Sequence, residues 1–194
     1  MSWLLLQWQR YMKEIDKING LSVVVLEKNL AQKYAPALAE IVDQIQIPLI
    51  DHYSAREVLA ESKGERKFYG KWEHSLVVFD QQTPIAIITG YEREAEKNEQ
   101  YPENTLYINE LAVRRDYQRR GIGRRLIRIF LDYNAEKGFI YLEGDLNFTI
   151  QTNSAQWNEY VQNLYKSFGF EQRATKQYEN GANYLVLGWR PEPP

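Results

Sequence analysis

The sequence predicts a mixed α/β fold, a twisted sheet of about six or seven strands flanked by helices. Three observations predict it. Short runs of β-branched, aromatic and aliphatic residues recur along the chain, at residues 21–26, 76–79, 85–88, 106–113 and 139–142. Stretches with helical apolar spacing separate some of them, at 29–45, 122–133 and 156–167. In the second half strand and helix alternate, which makes neighbouring strands parallel through a helical crossover.

The central unit is residues 106–133. Leu106-Tyr107-Ile108-Asn109-Glu110-Leu111-Ala112-Val113 reads as a strand, and a polar tetrad, Arg114 to Tyr117, follows. Gln118-Arg119-Arg120-Gly121-Ile122-Gly123 then turns into a helix with Ile122, Leu126, Ile129, Phe130 and Tyr133 on its apolar face. A strand, a glycine turn and a helix present unpaired N–H groups to a single anion. The first amides of a helix have no internal partner, and the helix dipole places partial positive charge there. Glycines keep Cβ atoms out of the way of a phosphate. The turn therefore reads as a pyrophosphate cradle. It lacks the Gly-Lys-Ser/Thr end of a P-loop and the third glycine of a dinucleotide fingerprint.

The N-terminal residues Leu4, Leu5, Trp8, Met12, Ile15 and Ile18 fall near helical spacing and predict a short amphipathic helix over residues 1–20, outside a domain spanning 21–190. Its polar side mixes Glu14 and Asp16 with lysines, which favours packing on protein over a membrane surface and leaves a homodimer contact open. The apolar run is too short for a signal segment or a bilayer span, so a cytoplasmic protein is expected. Leu21 to Leu26 is the first strand. A helical region over Asn29–Ile45 starts or kinks near Pro36, and Asp51–Ser62 is a second helical candidate. Residues 76–79 and 85–88 form a hairpin through Asp80 to Pro84. The acidic connection Glu92–Glu103 reads as a solvated loop, or as a negative lip toward a cationic substrate. The closing helix ends at Gly169, and two last strands, 170–174 and 184–189, meet through Glu179-Asn180-Gly181.

Composition bounds the function classes. The 194 residues carry a net charge of −2, with 44% hydrophobic and 26% charged residues, as in ordinary globular domains. With no cysteine, disulfides, thiolate metal sites and a cysteine nucleophile are excluded. The histidines, His52 and His74, have no carboxylate pair at metal-ligand spacing and read as surface or structural residues, so no metal is expected.

Leu111-Ala112-Val113 followed by Gln118-x-x-Gly121-x-Gly123 resembles motif A of the GCN5-related N-acetyltransferase (GNAT) family. A second match follows in the right order. Asn158-Glu159-Tyr160-Val161-Gln162-Asn163-Leu164-Tyr165-Lys166-Ser167-Phe168-Gly169-Phe170 resembles the family's motif B, with Val161 where alanine is usual. The resemblance covers residues 21–190 and implies the GNAT fold, with direct transfer of an acetyl group from acetyl-CoA to a primary amine of a small molecule or peptide. It implies that Leu111, Ala112, Val113, Gln118, Arg119, Arg120, Gly121, Ile122, Gly123, Arg124, Asn158 and Tyr165 bind acetyl-CoA.

Such chemistry needs a donor at the carbonyl oxygen, a proton for the leaving thiolate and a base for the amine. The resemblance assigns the first to the backbone N–H of Leu111, strand-like pairing of the pantetheine arm to Val113, a pantetheine hydrogen bond to Asn158 and the acid to Tyr165. Glu110, a carboxylate inside the central strand, is the candidate base; the alternatives are a water chain, or a Glu110 that only pairs with a neighbouring cation. Alternation puts it with Ile108 and Ala112 on the face opposite Leu111, unless a bulge intervenes. Tyr107, Tyr141 and Asp145 are weaker candidates for the substrate side.

Seven arginines between Arg114 and Arg128 raise a competing reading as a nucleic-acid-binding module. The slightly acidic chain, and the absence of a recognition helix or stacking platform, count against it. The phosphates of coenzyme A account for Arg119, Arg120 and Arg124. A third reading is an acyl-CoA sensor without turnover. The acceptor amine has no signature in the sequence.

Overall fold

The protein, seen in a computed structural model, is described over residues 12–44, 59, 68, 70–92, 105–137, 139–145, 161–177 and 183–191. It is mixed α/β, as expected, and divides into two compact units: residues 1–93 with 108–134, and residues 94–107 with 135–194.

In the first unit the strands stand in sequence order: β1 (Glu14–Ile18), β2 (Leu21–Val25), β3 (Leu76–Asp80), β4 (Thr83–Glu92) and residues 108–113 of β5 (Thr105–Val113). β1 through β4 pair antiparallel, with Val24 opposite Val77 and Val77 opposite Ile87. Val23 to Leu26, Leu76 to Phe79 and Ile85 to Ile88 are all buried, which is why these strands read as unbroken apolar runs instead of alternating ones. Helices cover both faces. Val24, Leu26, Val77, Phe79, Ile87 and Ala112 pack with Leu38, Ile41 and Val42 of α2 (Ala35–Asp43) and Ala31 of α1 (Lys28–Lys33). The other face meets α4 (Ile122–Tyr133), which buries Ile122, Leu126, Ile127, Ile129, Phe130 and Leu131.

The single helical region expected at Asn29–Ile45 is thus two helices broken at Tyr34. Pro36 stands in the first turn of α2, where a missing N–H costs no hydrogen bond.

The N-terminal expectation fails in part. Glu14–Ile18 is a strand, not helix, and Ile18 is 2% exposed against the sheet. The cause lies in Asn19-Gly20. Both take left-handed φ values, 51° and 84°, and Ile18 pairs with Leu21, so this is a two-residue hairpin of the primed type that Asn-Gly favours. The three-residue spacing of Ile15 and Ile18 mimicked a helix, and a boundary after Gly20 cuts a hairpin. β1 also takes the strand count among the described residues to eight, against six or seven expected.

A short helix, α3 (Lys71–His74), precedes β3. His74 is 6% exposed, with Nδ1 2.7 Å from Asn134 Oδ1 and Nε2 3.0 Å from Glu92 Oε1. Asn134, which ends α4, donates from Nδ2 to Phe130 O at 3.0 Å. One ring therefore ties the end of β4 to the end of α4, and the structural reading of His74 holds. His74→Leu strands two oxygens in or near the core. Urea unfolding will show a loss of about 2–3 kcal/mol.

In the second unit Thr105–Tyr107 of β5 pairs parallel with Phe139–Tyr141 of β6 (Phe139–Asp145). β6 pairs antiparallel with β8 (Asn183–Trp189), and β8 with β7 (Glu171–Gln177). Residues 161–166 are helical (α5). The helix closes as expected at Gly169: Phe170 N donates to Tyr165 O and Gly169 N to Lys166 O, the paired bonds of a Schellman end. The helical candidate at Asp51–Ser62, except Leu59, and the acidic segment 93–104 lie outside the described residues. So do Asn158 and the turn 178–182.

Candidate active site

β5 sets out the first part of the site. Arg114 N donates to Ile85 O at 2.8 Å, and the Glu110 carbonyl accepts from Thr89 Oγ1 at 3.4 Å. Antiparallel alternation then turns the backbone groups of Glu110 and Ala112 toward β4, and those of Leu111 and Val113 to the opposite edge. Side chains alternate as well. Ala112 packs in the cluster under α1 and α2, whereas Leu111 Cδ2 and Val113 Cγ2 lie 3.8 and 3.6 Å from the place a Cβ on Gly123 would take. Regular alternation continued one residue back would put Glu110 on the Ala112 face, away from Leu111. It is half-buried.

Beyond Val113 the chain is pinned at nearly every residue. Arg114 grips Asp116 through Nε at 2.7 Å and Nη2 at 2.6 Å. That pairing raises the guanidinium above its ordinary pKa and lowers the exposed carboxylate. Arg115 N donates to Gln44 Oε1 at 2.9 Å. Residues 115–117 form a 3₁₀ turn. Gln118 folds back, and its Nε2 donates to Val113 O at 2.8 Å. The glutamine of motif A thus fastens the turn to the strand edge.

Then the pinning stops. Among the described residues, the backbone amides of Arg119, Gly121, Ile122 and Gly123 donate to nothing, while that of Arg120 closes the turn over Gln118 and Arg119. Arg119 and Gly121 take left-handed conformations, with φ of 61° and 76°, and Gly121 passes directly into the right-handed α4. A left-handed residue beside a right-handed one curls successive N–H groups around one point, a concavity that binds anions. The positive end of α4 adds its dipole at the same place. A Cβ built on Gly121 meets no atom within 4 Å, so the space above the turn is open to a ligand. These residues fit a diphosphate.

The arginines divide. Arg119, Arg120, Arg124, Arg125 and Arg128 are exposed, while Arg114 is committed to Asp116. Arg120 is held as well: its Nη2 donates to Asp116 O at 2.7 Å and its guanidinium lies 4.9 Å from the Tyr117 ring centre. An open cleft of about 440 Å³ lies at the foot of this loop, lined by residues 80–83, Arg114 and Tyr117. It is separate from the amides of the turn.

Tyr165 belongs to the second unit, on α5. It is 5% exposed, with its ring 5.2 Å from that of Phe170 in an edge contact. Its hydroxyl has no hydrogen-bond partner among the described residues, and burial pushes the phenol well above the ordinary tyrosine value. It is thus both a core aromatic and a buried, protonated donor. Neither the Gln118 clamp nor the left-handed Arg119 has a signal in the sequence, because both depend on how the loop closes in space. Among the described residues no group of three or more histidines and acids could hold a metal ion.

The model of the Acetyltransferase (GNAT) family matches residues 43–170, more than half of the chain. The chain belongs to the GNAT family. It is an acyltransferase whose acyl donor is acetyl-CoA, and the turn just described falls inside the matched stretch. Solved structures agree on the fold. The ribosomal-protein-S18-alanine N-acetyltransferase of Escherichia coli superposes with a TM-score of 0.58 at 17% identity, covering 88% of this chain and 93% of its own. The NatC complex bound to Gag peptide and CoA gives 0.60 at 21%, covering 89% and 99%. An N-acetyltransferase from Staphylococcus aureus Mu50 gives 0.58 at 13%, covering 88% and 98%. At these identities the likeness is one of fold. Comparison with the curated proteins found no match. No helix among the described residues is long and apolar enough to cross a membrane.

Proposed function

We propose that this GNAT protein transfers the acetyl group of acetyl-CoA directly to a primary amine of a small molecule or peptide. The observation that carries the proposal is the set of unpartnered amides of Arg119, Gly121, Ile122 and Gly123 at the start of α4. The thioester supplies an activated acyl group, and the protein's own groups do the rest. The amides of the turn hold the diphosphate. The Leu111 N–H, on the edge of β5 turned away from β4, stabilises charge developing on the carbonyl oxygen, and the Val113 N–H aligns the pantetheine arm. Glu110 takes the proton that the attacking amine must shed, directly or through water. As the new C–N bond forms and the C–S bond breaks, the Tyr165 hydroxyl protonates the departing sulfur. Asn158 donates to the pantetheine.

The family resemblance assigns the acceptor pocket to the segments 29–62 and 172–184, and acidic residues of the sequence such as Glu57, Glu61 and those that follow Glu92 would suit a cationic amine. Two neighbours in fold carry peptide or protein substrates in their names, so peptides with free N-termini belong in the same test. Polyamines, aminoglycosides, lysine peptides and such N-terminal peptides are incubated with acetyl-CoA while free thiol release is followed. At least one class will raise release well above hydrolysis. Glu110→Gln will lower kcat on that amine roughly 10²-fold at pH 7, with recovery as pH rises and the free amine needs no base. An unchanged kcat assigns the proton to water. Tight acetyl-CoA binding with no turnover on any amine supports a sensor instead.

A further inference from the structure

The cradle's amides are useful only if the loop that carries them holds its shape, and one side chain stands at the centre of that loop. Tyr117 closes the 3₁₀ turn. Its hydroxyl donates to Asp80 Oδ2 at 2.6 Å, which ties the loop to the last residue of β3. That bond raises the phenol's pKa, so the tether stays protonated through the neutral range. Two guanidiniums rest on its ring, Arg114 at 4.8 Å and Arg120 at 4.9 Å from the centre. Both arginines also bind Asp116, Arg114 at the carboxylate and Arg120 at the carbonyl. Arg120 is the residue just before Gly121 and lies between the unpartnered amides of Arg119 and Gly121. A group that fixes Arg120 and the strand end together therefore fixes the direction in which the amides between them point.

We propose that Tyr117 is a positioning residue for acetyl-CoA, acting through the Asp80 tether and the stacked Arg120 and touching neither substrate. The proposal rests on the cradle reading above. It also changes the role of Arg120: this guanidinium shapes the loop, and diphosphate recognition falls to backbone N–H groups. Affinity for the coenzyme will depend on Tyr117, while the rate of the chemical step will not.

The test is a comparison of the full chain with Tyr117→Phe, Asp80→Asn, Asp80→Ala and the Tyr117→Phe/Asp80→Ala double variant, by calorimetry with acetyl-CoA and by steady-state kinetics on the amine found active. Tyr117→Phe keeps the ring and removes only the tether. It will weaken binding and raise KM for acetyl-CoA about fivefold to tenfold at unchanged kcat, the loss expected when one hydrogen bond acts on binding only through the loop it holds. Asp80→Ala will match it, the double variant will be no worse than either, and Asp80→Asn, which keeps an acceptor, will recover most of the loss. A melting temperature that falls while affinity and KM stay at wild-type values overturns the proposal, as does a double variant whose losses add. If Tyr117→Phe fails to fold, the Asp80→Asn and Asp80→Ala pair decides by itself: equal affinity in the two overturns it. A wild-type chain that binds no acetyl-CoA brings down the cradle reading instead, and that result is distinct from all of these.

Discussion

Gly121→Val will lose acetyl-CoA binding by at least two orders of magnitude in calorimetry and remain folded. Gly121 has φ of 76°, in the left-handed region. A β-branched residue there costs roughly 1–2 kcal/mol in backbone strain, or forces the turn to flip. The surrounding protein does not object, since a Cβ at this position meets nothing within 4 Å. The damage falls on the ligand. A flipped turn withdraws at least two N–H donors from an anion, at about 1.5–3 kcal/mol each, and the new methyls take the space above the amides. The sum is roughly 3 kcal/mol or more, a hundredfold or more in affinity. A thermal melt within a few degrees of wild type, with binding gone, is the expected pair of results. Wild-type affinity in this variant would mean that the diphosphate lies elsewhere.

Tyr165→Phe separates chemistry from binding in the other direction. The hydroxyl is buried and without a partner among the described residues, so its removal strands nothing and leaves the ring against Phe170 in place. Stability will hold or rise slightly, because an unpaired buried hydroxyl is a burden on the folded state. kcat will fall about 10²-fold, the usual contribution of a positioned proton donor, with coenzyme affinity nearly unchanged. The pH dependence has a definite sign. Burial raises the phenol's folded pKa above its unfolded value near 10, so the proton is held from neutral pH into the alkaline range. The wild-type rate will show no loss attributable to this group below about pH 10. Full activity in Tyr165→Phe would leave this side chain as a core aromatic alone.

How much of this was legible in the sequence depends on the range of the interaction. The apolar runs of β2, β3, β4 and β5 declare themselves, because a strand buried on both faces has nothing but apolar residues to show. The glycine turn is equally plain, because Gly121 answers a local demand of the backbone. β1 was hidden by a coincidence of spacing at Ile15 and Ile18, although Asn19-Gly20 carried the correct hairpin signal. Long-range pairings left no trace. Nothing in Asp80 predicts that it will accept from Tyr117, 37 residues on, and nothing in Gln118 announces that it will turn back on the Val113 carbonyl. His74 looked like a solitary histidine because its partners, Glu92 and Asn134, are brought to it only by the sheet and by the end of α4. For Glu110, alternation suggests a face of the strand but names no partner.

The claim on which the account turns is that backbone amides at the start of α4 grip the diphosphate of the acyl donor. Parallel calorimetric titrations of the full chain with acetyl-CoA and with S-acetylpantetheine, which has the same thioester and arm but no diphosphate, test it most directly. The account predicts tight binding of acetyl-CoA and an affinity for S-acetylpantetheine weaker by roughly a hundredfold or more. Equal affinity for the two ligands would contradict it.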